Sequence, residues 1–201
     1  MQETTKTNPP SWLWLAGWVI ANFIGVMIGA ALGFALAYIT SGGFGAPVED
    51  PEPVSTVTII FIGLLFVIPA GVILGAFQSI AIMNYLDKQN RWFPFTAAGY
   101  GLAVLLLIAV SSITYLDLNL GFWVILSSSI GIFQWTIIRK TVYGYRSYYW
   151  ILANIIQGSI AGILGRNWII GGAFYWGIGS IITGVTLIWL LSTNQHSFEN
   201  K

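Results

Sequence analysis

Four carboxamides, Asn22, Gln78, Gln134 and Asn154, stand inside long apolar stretches of this sequence, and two of them share a local setting: Gly75-Ala-Phe-Gln78 and Gly131-Ile-Phe-Gln134. An amide both donates and accepts hydrogen bonds but does not take up a proton near neutral pH, so its chemistry is contact rather than catalysis. An unpaired polar group in hydrocarbon costs several kcal/mol, which obliges each amide to find a partner. The partner is either a neutral or lipophilic solute on a polar path, or an amide or carbonyl of a neighbouring helix. Interhelical bonds of the second kind contribute about 0.6 to 2 kcal/mol in membranes and are the expected use here.

Other chemistry is scarce. His196 is the only histidine and there is no cysteine, so neither a zinc nor an iron site can be assembled from these residue types, and disulfides and thiol lipidation are excluded. The apolar stretches hold no carboxylate, which removes paired-acid catalysis and a carboxylate proton relay at membrane depth. No phosphate-binding glycine loop, nucleophile elbow or HExxH occurs. No catalytic residue, cofactor or metal is expected. Glu49, Asp50 and Glu52 in "TSGGFGAPVEDPEPVS" mark a solvated loop, with Pro51 and Pro53 between them.

The elements that must carry the amides follow from composition. Of 201 residues, 56% are hydrophobic and 7% charged, against roughly 25% charged in a soluble domain. Six charge-free stretches, 12–39, 57–86, 93–115, 120–138, 148–165 and 168–191, approach or exceed the ~20 residues a membrane helix needs. The first is too apolar for too long to be a cleaved signal peptide. Lys6, Lys88, Arg91, Arg139, Lys140, Arg146 and Lys201 fall on one side of these spans and Arg166 alone on the other, so both termini are expected in the cytoplasm. Trp12, Trp14, Trp92, Trp135, Trp150 and Trp189 near the cytoplasmic ends, and Trp123 and Trp168 near the outer ends, are expected to form interfacial belts. A formal net charge of +1 offers no surface for nucleic acid.

The order Gly, Gln, basic loop, Trp occurs twice, from Gly75 to Trp92 and from Gly131 to Trp150. Trp18 precedes Asn22 and Trp150 precedes Asn154 by four residues, each ahead of glycines spaced by four. The expected fold is an all-α membrane protein of six transmembrane helices in three tandem hairpins, 12–86, 92–140 and 148–193, flanked by cytoplasmic tails 1–11 and 194–201. Parallel repeats of this kind are related by an axis along the membrane normal. The third hairpin offers Gly177-Ile-Gly-Ser180 where Gln would stand. Glycine rows, Gly25, Gly29 and Gly33, then Gly71 and Gly75, then Gly158 and Gly162, put small residues on one helix face for close packing. Ser111, Ser112 and Ser127 to Ser129 are read likewise, and Pro69 predicts a static bend in the second helix.

The pattern Gly-x-x-Gln-Trp-x-x-x-Arg-Lys at 131–140, its weaker copy from Gly75, and a Trp after each basic loop resemble a group of multi-spanning bacterial membrane proteins, frequent in cyanobacteria. The similarity covers roughly residues 69–158, and Ser79, Asn84 and Tyr85 in the first copy depart from it. The resemblance implies fold and location only, a bacterial inner membrane or a thylakoid. The expected partners are the lipid bilayer and other membrane proteins or a second copy of the chain. The expected role is non-enzymatic packing or assembly; the alternative is a transporter or channel for a small neutral or lipophilic solute.

Overall fold

The computed structural model describes residues 10–40, 56–86, 91–111, 118–142, 144–165 and 168–199, and all their regular structure is helical. The helices are α1 (Trp12–Thr40), α2 (Thr56–Ile82), α3 (Trp92–Ser111), α4 (Leu118–Thr141), α5 (Tyr148–Leu164), α6 (Trp168–Trp176) and α7 (Ile178–Glu199), with a 3-10 turn at Gly144–Ser147. The acidic loop, Lys6, Lys88, Ser112, Asp117, Arg166 and Lys201 lie outside the described residues.

Helices dominate because a backbone in hydrocarbon must satisfy its own N–H and C=O groups, which the helix does within one segment. Their outer faces are apolar: Phe23, Ile24, Met27 and Ile28 on α1, Leu105 and Leu106 on α3, and Ile155, Ile156 and Ile163 on α5 are all exposed. A helix that is apolar both inward and outward belongs in a large core or a membrane. Among the described residues, four segments are long and apolar enough to cross a bilayer: Trp12–Gly33, Trp92–Val110, Leu120–Thr141 and Phe174–Thr193. Ile68–Ile82, within α2, is a shorter apolar helical segment.

The helices close on themselves. Each of α1 to α5 packs on the next, α7 packs on α5 and returns to α1, and α6 lies against α5 and α7. Two layers of side chains fill the interior. One, toward the end bearing Arg139 and Lys140, is built on Trp18, Trp92, Trp150, Ile138, Leu187 and Leu190. The other is built on Leu74, Tyr100, Trp123, Leu126, Ile130 and Tyr175, with Trp123 and Tyr175 rings 5.0 Å apart.

Two local features differ from the sequence expectation. The last apolar stretch is not one helix over 168–191 but two, with a turn at Gly177 between α6 and α7. On either side of that turn, Gly171 lies hard against the Trp123 ring and Gly179 against the Gln157 side chain, so the two halves follow different neighbours. At 9 residues α6 is about 14 Å long, too short to cross by itself. The helix also continues to Glu199, through most of the expected tail 194–201. Pro69 is half-buried within α2, which runs past it without interruption.

Candidate functional site

Three tryptophans, one from each of α1, α3 and α5, meet edge to face inside the ring. Trp18 and Trp92 centroids are 6.4 Å apart, Trp18 and Trp150 6.4 Å, and Trp92 and Trp150 5.8 Å, with interplanar angles of 80°, 74° and 67°. All three are buried. Edge-to-face pairs contribute about 0.5 to 1.5 kcal/mol each beyond the area they bury.

One turn further along each helix stands a polar residue that bonds back to its tryptophan's carbonyl. Asn22 Nδ2 donates to Trp18 O at 2.8 Å, Thr96 Oγ1 to Trp92 O at 2.9 Å, and Asn154 Nδ2 to Trp150 O at 2.8 Å. This back-bond fixes each side chain, and on Asn22 and Thr96 it leaves the oxygen free to accept from the glutamines. Gln78 Nε2 donates to Asn22 Oδ1 at 2.7 Å, and Gln134 Nε2 donates to Thr96 Oγ1 at 2.8 Å. Gln78 Oε1 in turn accepts from Trp92 Nε1 at 2.8 Å and from Gln134 Nε2 at 3.0 Å. Thr183 of α7 accepts from Trp18 Nε1 at 3.4 Å. Among the described residues, two buried side-chain groups have no hydrogen-bond partner, Trp150 Nε1 and Ser180 Oγ.

The Gly-x-Phe-Gln stretch now has a geometry, with each residue meeting a different surface. A Cβ on Gly75 would collide with Phe93 of α3, and one on Gly131 with Asn154 of α5, so glycine admits the following helix. The next residue, Ala76 or Ile132, is exposed on the outside of the bundle. The phenylalanine turns back to its preceding helix: Phe77 Cβ lies near Gly25 of α1, and the Phe133 ring is 6.1 Å from that of Phe95 on α3. Glutamine points to the tryptophan cluster. Ser180-Ile-Ile-Thr183 on α7 shows the same alternation of burial, with Ser180 and Thr183 buried and Ile181 exposed.

The sequence also placed several residues at the wrong depth or surface. Gln78 lies four residues from the end of α2, about 6 Å along its axis, not the eight residues suggested by a helix running to 86. Trp92, Trp150 and Trp123 are core residues rather than members of a lipid-facing belt, whereas Trp12 and Trp189 are exposed. Trp135 is half-buried and donates to Ser147 Oγ at 3.0 Å.

The glycines of the rows meet neighbouring helices. Gly25 faces Leu74 Cα, Gly29 faces Ala70, Gly71 faces Ala97 and Tyr100, Gly158 faces Trp123 O and Ser127, and Gly162 faces Leu120. Gly33 is buried. Ser127 and Ser128 bond back to Trp123 O and Val124 O. Thr96, Thr183 and Gln157 were not singled out from the sequence. For Thr96 the signal was present: it stands four residues after Trp92, as Asn22 and Asn154 stand after their tryptophans.

Asn22, Gln78, Gln134 and Asn154 all border one interior cavity of about 20 Å³, room for about one water. Gln157 also borders it and donates to Tyr175 O at 3.1 Å. The arrangement holds a few dipoles in fixed directions in a buried core; among the described residues no cluster of three or more potential metal ligands occurs. Compared with family models, with curated proteins and with solved structures, the chain matches none.

Proposed function

We propose that this chain is a six-span, multi-pass membrane protein of three tandem hairpins whose role is structural, packing and assembly within a bacterial inner or thylakoid membrane, rather than catalysis. The repeat reading rests on offsets that recur. Trp18, Trp92 and Trp150 each precede a back-bonding residue by four. The residue seven after each, Gly25, Gly99 and Gln157, packs on the residue four before Gln78, Gln134 and Thr183, namely Leu74, Ile130 and Gly179. In the third pair the small residue has changed sides. The α6–α7 break makes the sixth span a composite, and the basic loops favour cytoplasmic termini. The resemblance to cyanobacterial membrane proteins rests on the Gly-x-x-Gln-Trp motif and is offered on that ground alone.

The observation that carries the structural role is where the amides spend their hydrogen bonds. Gln78 holds Asn22, Trp92 and Gln134 together across three hairpin helices, and the cavity beside it admits about one water. A solute path needs continuous room and unspent dipoles. The convergence of four amides on one cavity supports transport as the second reading, through a state in which the tryptophans part.

One experiment separates the two. Gln78→Leu and Gln134→Leu should each lower stability in detergent by about 1 kcal/mol, Gln78→Leu more because it strands three partners. Screening both variants and wild type against small metabolites should then give no melting shift particular to wild type. A solute that stabilises wild type alone, with the unliganded stability of the variants unchanged, would establish a binding site by mass action and overturn the structural reading.

A further inference from the structure

The third hairpin departs from the other two at one seam. Of the residues before Gln78 and Gln134, Phe77 brings its Cβ near Gly25 of α1 and Phe133 sets its ring 6.1 Å from that of Phe95 on α3. The residue before Thr183 is Ile182, and beside it lies an apolar groove of about 240 Å³ between α5 and α7, lined by Leu152, Ile156, Ile182 and Val185 and headed by Tyr149 and Trp189. An isoleucine here leaves the groove open where the other two hairpins carry a phenylalanine.

The groove continues past its head. Tyr149 and Leu152 also line a second hollow of about 300 Å³, with Tyr145 and Tyr148 on its other walls. Tyr149 meets Trp189 edge to face at 5.2 Å, and Tyr148 stacks on Trp135 at 5.1 Å. Arg139 lies over the Trp135 ring, 4.7 Å from its centroid, and Lys140 and Arg146 are exposed nearby in sequence, at the end of α4 and in the 3-10 turn. The apolar groove therefore runs into an aromatic and hydroxyl-bearing shelf bordered by Arg146 in its own turn and by Arg139 across Trp135, with no carboxylate between residues 118 and 198.

We propose that this is a binding site for an anionic phospholipid, one acyl chain in the α5–α7 groove and the phosphate on the Tyr145–Tyr149 shelf beside Arg146. The surroundings supply the ligand if the chain spans a bilayer, which is the part of the functional reading this inference rests on; it does not depend on the structural role. Apolar lining selects a hydrocarbon chain, and the basic shelf selects the charge of the head group, since each Lys or Arg near an anionic lipid surface favours binding by roughly fivefold.

The test is native mass spectrometry of the full chain in detergent, titrated with phosphatidylglycerol or phosphatidylcholine. Wild type should retain one phosphatidylglycerol in preference to phosphatidylcholine. Ile182→Phe restores the residue of the other two hairpins and fills the groove; it should cut retention of both lipids by about tenfold, the loss expected for about two methylene contacts. Val185→Phe fills the same groove from an exposed position, so it reports independently if Ile182→Phe folds poorly. Arg146→Gln, on the exposed turn, should lower phosphatidylglycerol retention about fivefold and leave phosphatidylcholine unchanged. Unaltered retention in both phenylalanine variants would overturn the site, and equal retention of the two lipids by wild type would overturn its charge selection. Failure of the chain to fractionate with membranes would instead remove the bilayer reading itself.

Discussion

At the scale of single residues, the core sets one tryptophan apart from its two counterparts. Trp92 donates to Gln78 and Trp18 to Thr183, whereas the Trp150 indole N–H is buried without a partner. Gln134, which stands on α4 as Gln78 does on α2, donates its nitrogen to Gln78 and Thr96 and not toward an indole. A hydrogen bond in place is worth about 1 kcal/mol net, and a donor without one contributes nothing of the kind. Trp92→Phe and Trp150→Phe remove the same ring area from the same cluster, so their difference isolates the bond. Trp92→Phe should cost about 1 kcal/mol more in equilibrium denaturation in detergent. Equal costs would mean that the Gln78 to Trp92 bond adds nothing to stability.

At the scale of helices, backbone approach decides which changes are tolerated. A Cβ on Gly29 would lie 2.7 Å from Ala70 Cα, a backbone atom that cannot swing away. Ile28, one step around α1, is exposed. Gly29→Leu should therefore destabilise the fold by about 1 to 3 kcal/mol through overpacking, and Ile28→Leu should change the melting temperature little. A melt showing equal tolerance would place the Gly25–Gly29 face on lipid. The helical character of the chain was legible from charge-free stretches, because length and apolarity alone demand internally satisfied backbone. The break at Gly177 was not, since with 23 glycines in the sequence no single one announces a turn. Nor was Thr183, because threonine does the work of the Gln oxygen only where Trp18, 165 residues away, comes into reach. The tryptophans misled for a related reason: a Trp at a helix end fits an interfacial belt equally well until the ring of helices shows which way it points.

At the scale of the whole molecule, closure is made by α7 returning to α1, where Gly184 lies against Leu15 and Trp18 and Thr183 accepts from the Trp18 indole. Closure brings the starts of α3 and α5 and the Trp18 level of α1 together at one end, the end that also carries Arg91, Arg139, Lys140 and Arg146. Positive charge gathered at one end of a membrane bundle sets its orientation toward the cytoplasm. The chain has no cysteine, so a single introduced thiol reports its own side without ambiguity. Ser147 is a poor probe because it is buried and accepts from Trp135 Nε1. Tyr145 in the same turn is 70% exposed and serves instead. In sealed cells, Ser55→Cys should react with a membrane-impermeant maleimide, and Tyr145→Cys should react only after the membrane is opened. Reaction of Tyr145→Cys in intact cells would invert the bundle, place the basic shelf and its lipid groove in the outer leaflet, and leave the charge bias unexplained.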